Sequence, residues 1–136
     1  MSLNYRILKY SLLAGSFYFF LVSIVHFFEI KVPVLFIYFN VQSYPYQDRI
    51  ISFLAFGWSV FLFTAFTNPE RQDALMKAIL VAGGAAVFGL FAINSSTDFK
   101  ALDPTIDPII FTFETLGLLV YLAWLVIFYV RVLRKK

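Results

Sequence analysis

The sequence contains no cysteine. Disulfides, CxxC redox pairs, thiolate-bound metals and covalently attached c-type haem are thereby excluded within this chain. Histidine is nearly as scarce, with His26 the only one. A single copy cannot supply the two-histidine ligation typical of membrane b-type haem, and no His/Glu set has metal-ligand spacing, so neither a metal nor a cofactor is expected. Charge is short as well: only 14% of the 136 residues are Asp, Glu, Lys or Arg, while 61% are hydrophobic. A soluble domain needs far more charge on its surface. Gly-rich phosphate loops and nucleophile elbows are missing, so no catalytic residue is assigned. The net charge of +3 resides in cations at the ends of apolar runs. Membrane topology explains that placement, and no nucleic-acid partner is expected.

What the sequence has is long apolar runs. Four of them, over residues 7–28, 50–67, 74–94 and 109–130, each come close to the ~20 residues that one bilayer crossing needs. The fold class expected is all-α: one domain over residues 1–136, an integral membrane four-helix bundle of up-down-up-down order. The first run follows Arg6 as a signal peptide would, but it ends in Val25-His26-Phe27-Phe28-Glu29 without a small-residue cleavage site. An uncleaved helix is expected. Asn68 and Asp107 fit helix N-caps, with Pro69 and Pro108 in the first turns that follow. Between the first two runs, residues 32–39 are apolar but too short to cross. That stretch is expected to be interfacial or re-entrant.

Orientation follows from the basic residues. The N-terminus, the turn at 68–77 and the C-terminus together carry eight Lys and Arg, against three in the other two connections. The positive-inside rule then puts both termini in the cytoplasm, in a membrane read as a bacterial cell membrane.

Glu114 is the polar residue hardest to reconcile with lipid, lying five positions past Ile109 and so roughly 7.5 Å along the helix. It reads as a structural ion pair or hydrogen bond, as a ligand or proton site, or as a snorkelling side chain. Arg49, His26 and Asn94 fall at the same end of the other three runs, and Arg49 is the natural counter-ion for Glu114. His26 is the alternative partner, itself within reach of Glu29 on the same helical face. Trp58, near the middle of the second run, needs a partner for its indole N–H and reads as core packing or as cavity lining. In the third run, Ala78, Ala82, Ala85, Gly89 and Ala92 recur at steps of four and three. Small residues so spaced let helix backbones approach, within the chain or against another subunit.

The order of parts resembles the broad DoxX-like group of small four-helix membrane proteins. The likeness is one of layout: four spans, a longer first outer connection, a short inner turn with Pro69 and a small-residue third span, while Asp48-Arg49 and Phe56-Gly57-Trp58 are not motifs specific to the group. It covers most of the chain and implies the four-helix fold. Roles within the group are diverse, so it carries no residue's function over.

Two functional readings from different classes follow. One is an accessory or scaffold subunit of a membrane assembly, or a homo-oligomer, in contact with membrane lipids and resting on the small-residue face. The other is a binding protein or carrier for a lipid, quinone or other apolar small molecule, with the Glu114 region as polar anchor. A membrane enzyme using Glu114 and His26 as acid and base comes third.

The orientation is testable because the chain has no cysteine. A cysteine replacing Leu102 is expected to react with an impermeant reagent applied outside intact cells, and one replacing Gln72 is expected not to. The reverse pattern inverts the topology.

Overall fold

The computed structural model describes residues 2–134. Met1 lies outside the described residues, as do Lys135 and Lys136, which contribute to the terminal charge in the orientation argument. Among the described residues, four helices are long and apolar enough to cross a membrane: α1 (Leu3–Phe27), α2 (Pro45–Thr67), α3 (Asp73–Ser96) and, after the single-turn α4 (Phe99–Leu102), α5 (Ile109–Leu133). No strand occurs among the described residues. The chain is therefore an all-helical membrane bundle. The end that carries Leu3 and Leu133 is called the terminal end below, and the opposite end the distal end.

The helices begin earlier than apolarity alone suggests, because polar first turns extend them. In α2 the early start is built by Pro45, whose fixed φ suits a first helical position, and by Gln47, whose Oε1 accepts the Tyr44 N–H at 3.2 Å. This puts Asp48 and Arg49 inside the helix rather than before it. The Asn68 expectation is corrected. Asn68 ends α2, its backbone carbonyl accepting the Arg71 and Gln72 N–H groups at 3.1 Å each and its Oδ1 accepting the Arg71 N–H at 3.4 Å, so it caps the intervening turn; α3 starts only at Asp73. The last span starts at Ile109 with Pro108 at its cap position, one residue later than expected, and Asp107 Oδ1 accepts the Ile109 N–H at 3.1 Å from just before it.

Each long helix packs against its sequence neighbour, and α1 and α5 close the ring. The α1–α2 pair is the most extensive and α2–α3 the slightest. The α1–α2 seam runs on small and hydroxyl residues. Ser16 and Ser59 donate to each other's backbone carbonyls at 2.9 and 2.8 Å, and Ser23 meets Ser52 at 3.3 Å. Each helix places its two serines seven residues apart, two helical turns, so they share one face. Such interhelical bonds contribute on average about 0.6 kcal/mol apiece in membranes. Gly15 sits in the same region because the Tyr121 hydroxyl lies only 1.9 Å from where a Cβ would be, held there by donating to the Ser11 carbonyl at 2.9 Å. Trp124 donates its indole N–H to Ser11 Oγ at 3.0 Å, tying α5 to α1 a second time.

Apolar packing is concentrated in two places. Leu8, Leu12, Leu62, Met76, Leu125 and Phe128 belong to a cluster that fills the terminal half. Phe99, Ile106 and Phe111 form a second cluster at the distal end, covered by Ile37, Tyr38, Phe39 and Val41. The segment after α1 is thus folded back on the bundle, which selects the re-entrant reading of residues 32–39.

The third-span expectation is also corrected for packing within the chain. Ala78, Ala82, Ala85 and Ala92 are exposed and Gly89 is half-buried. The face of α3 that packs inward carries Met76, Ile79 and Val87. Larger side chains remove more apolar surface on contact, so they take the inward face, and alanines contribute too little area to compete.

Candidate functional site: a capped cavity between the helices

Between the terminal cluster and the distal cap the four helices leave a cavity of about 940 Å³. Its wall is mainly apolar, with Val22 from α1, Leu54 from α2, Val87 from α3 and Leu118 from α5 among the contributors. Gly83, Ala86 and Gly89 of α3 also line it. Side chains this small cannot fill the gap toward α2, so the space remains. Leu54, Ile50 and Ile51 on α2 and Ile93 on α3 both line the cavity and are exposed. The opening therefore lies sideways, between α2 and α3, toward the lipid.

Polar groups gather at its distal end. Asp48, 2% exposed in the first turn of α2, accepts from the Ser43 hydroxyl at 2.7 Å through Oδ2, which also faces Lys31 Nζ at 3.6 Å. Lys31 donates to Ser43 Oγ at 2.5 Å and stands 4.3 Å from the centroid of the Phe36 ring. The other carboxylate oxygen, Oδ1, faces His26 Nδ1 at 3.6 Å, slightly beyond a direct hydrogen bond, and both atoms are sealed from solvent. The His26 ring stacks on Phe36 with centroids 3.7 Å apart. His26 and Asp48 belong to the cavity wall, whereas Lys31 stands behind it.

Glu114 does something other than expected. Its Oε1 accepts the backbone N–H of Val34 at 2.8 Å, while the Val34 carbonyl accepts from the Tyr18 hydroxyl at 2.6 Å. Val34 has φ 72°, a conformation that a β-branched residue rarely adopts and that costs on the order of 1–3 kcal/mol. The two bonds, one from α5 and one from α1, hold it there. Non-helical backbone beside lipid needs such partners, and Glu114 supplies one.

The expected ion pair between Glu114 and Arg49 does not form. Arg49, its side chain 60% exposed, reaches Glu29 at 4.0 Å. His26 pairs with Asp48, not with Glu114 or Glu29. Asn94 joins a different chain of bonds: it accepts from the Tyr38 hydroxyl at 2.9 Å and donates to Thr115 Oγ1 at 3.0 Å. Burial pushes the Tyr38 hydroxyl above the ordinary tyrosine range, so it stays protonated and keeps donating. Trp58 packs against the terminal cluster and also lines the cavity, stacked on Phe19 with centroids 5.9 Å apart. Glu114 is not part of the cavity wall.

Sequence reasoning missed Asp48, because a carboxylate ahead of the apolar run reads as a surface loop residue. Pro45 three positions earlier was the available signal that the helix had already begun. No protein family, curated protein or solved structure matches the chain.

Replacing Asp48 removes the acceptor of the Ser43 hydroxyl and the carboxylate that faces Lys31 and His26, and the loss of a buried polar partner costs about 1–3 kcal/mol. Thermal unfolding in one detergent is expected to show Asp48→Ala destabilised by at least that much. Arg49→Gln should stay within about 0.5 kcal/mol of the parent. Glu114→Gln and Arg49→Gln should add without coupling, since the two side chains do not meet.

Proposed function

We propose that this chain is a binding protein or carrier for an apolar small molecule that enters from the bilayer. The observation that carries the reading is the cavity of about 940 Å³. Ligand pockets range over about 300–1,000 Å³, are mostly apolar, and use a few polar groups to set orientation. The His26–Asp48 end supplies those groups in place of the Glu114 anchor expected from sequence. The sideways gap between α2 and α3 gives a lipid-soluble molecule a path that never crosses water. With both termini cytoplasmic, as the basic residues argue, the polar end of the cavity faces the outer leaflet.

A second reading, an accessory subunit or homo-oligomer, draws support from a different surface. The Ala78, Ala82, Ala85 and Ala92 stripe is exposed along α3, where another membrane helix can approach closely.

Native mass spectrometry after purification in a gentle detergent separates the two. A small apolar molecule retained by the parent, and lost when Ala86→Trp blocks the opening, is the expected result. A bare chain with stoichiometric foreign protein or a second copy of itself would contradict the carrier reading and favour the subunit.

A further inference from the structure

The cavity reading leaves open which chemical class of molecule fits, and the polar end is specific enough to decide it. Among the residues of the wall, His26 and Asp48 are the only ionisable side chains apart from tyrosines, and no Lys or Arg is present. A phosphate or carboxylate headgroup entering there meets the Asp48 carboxylate, while the one nearby cation, Lys31, lies outside the wall and is already engaged by Asp48 and Ser43, so nothing on the wall binds an anion. Asp48 already has Lys31 at 3.6 Å behind the wall. A cationic headgroup is therefore not required to balance it. The charges point to a neutral ligand head.

The imidazole geometry goes further. Nδ1 of His26 faces the buried Oδ1 of Asp48 at 3.6 Å. A carboxylate oxygen can only accept, and a lone pair on Nδ1 would be repelled by it, so the ring proton sits on Nδ1. With Lys31 neutralising Asp48, no second proton is demanded of the ring. Nε2 is then an acceptor. No hydrogen bond to it occurs among the described residues, and unlike Nδ1 it is not sealed off, although the residue as a whole is only 5% exposed. The stack on Phe36 keeps the ring from turning to find another partner.

Resting on the carrier reading, we infer that the ligand is an uncharged, hydroxyl-headed amphiphile with a long apolar body, whose O–H donates to His26 Nε2 while the chain runs inward past Trp58. Molecules of this class include long-chain alcohols and hydroxylated isoprenoids. At His26 an acceptor-only head, such as a ketone, aldehyde or ester carbonyl, faces a lone pair and makes no bond there, so only donors elsewhere on the wall, such as Gln42, Gln47 and Thr97, remain to it. A buried site built for one hydrogen-bonding sense rejects the other more strongly than it rejects changes in apolar bulk.

The test uses the fluorescence of Trp58 in a Trp124→Phe background, with terminally brominated hexadecanol as the quenching reporter. Unbrominated hexadecanol, hexadecanal, hexadecanoic acid, hexadecylamine and hexadecane are then compared as competitors. Hexadecanol is expected to displace the reporter about tenfold more tightly than each of the others. In His26→Phe, which keeps a ring against Phe36 but removes the acceptor, that preference should collapse to the level of hexadecane. Hexadecane competing as well as hexadecanol in the parent would leave the cavity reading standing and overturn the hydroxyl assignment, as would tighter competition by the aldehyde, the acid or the amine. Absence of any quenching by the reporter would overturn both. Should His26→Phe fail to fold, the order of competitors on the parent decides alone.

Discussion

Lipid offers no hydrogen bonds, and the distal half of this protein is arranged around that constraint. The segment between α1 and α2 is too short and too irregular to cross the bilayer, yet it lies against the spans. Its backbone and side chains must therefore find partners within the chain. Asp48, Glu114 and Asn94 provide them, each from a different helix: Asp48 takes Ser43 and faces Lys31, Glu114 takes the Val34 N–H, and Asn94 takes the Tyr38 hydroxyl. With those bonds made, the segment stays over the bundle and the distal end is closed.

The cavity is a consequence of that closure together with the distribution of bulk. The terminal half is filled by leucines, a methionine and Phe128, and the distal end by an aromatic cluster around Phe99 and Phe111. Between them α3 contributes only Gly83, Ala86 and Gly89 to one stretch of the cavity wall. Helix association in a bilayer gains little from hydrophobicity itself and depends on close contact, so a pair that cannot touch remains apart. The α1–α2 seam shows the contrary case. There Ser16 and Ser59 allow near approach, and reciprocal hydroxyl-to-carbonyl bonds fix it.

Much of the architecture was legible in the sequence because crossing a membrane imposes a length and a composition. The four spans, their order and the folded-back segment all follow from apolar runs of adequate or inadequate length. The side-chain pairing did not follow. Glu114 and Arg49 are opposite charges at the same end of the bundle, but Arg49 lies on the exposed side of α2 and meets Glu29, a fact of helical phase that depends on where α2 begins. Asp48 was hidden for the same reason, since a helix starting at Pro45 turns it inward and a helix starting at Ile50 leaves it in a loop. For α3 the misreading was of a different kind. A periodic stripe of alanines shows that some surface is smooth without showing which partner uses it, and Met76 and Ile79 outweighed it for the inward face.

The central claim is that the laterally open space lined by α1, α2, α3 and α5 is a ligand site rather than a packing gap. An experimental density map of the protein in lipid nanodiscs tests this most directly. An elongated non-protein density inside the cavity, with one end at His26 and the body passing Trp58, is the predicted result. A map in which α2 and α3 have closed on each other and no such density remains would contradict it.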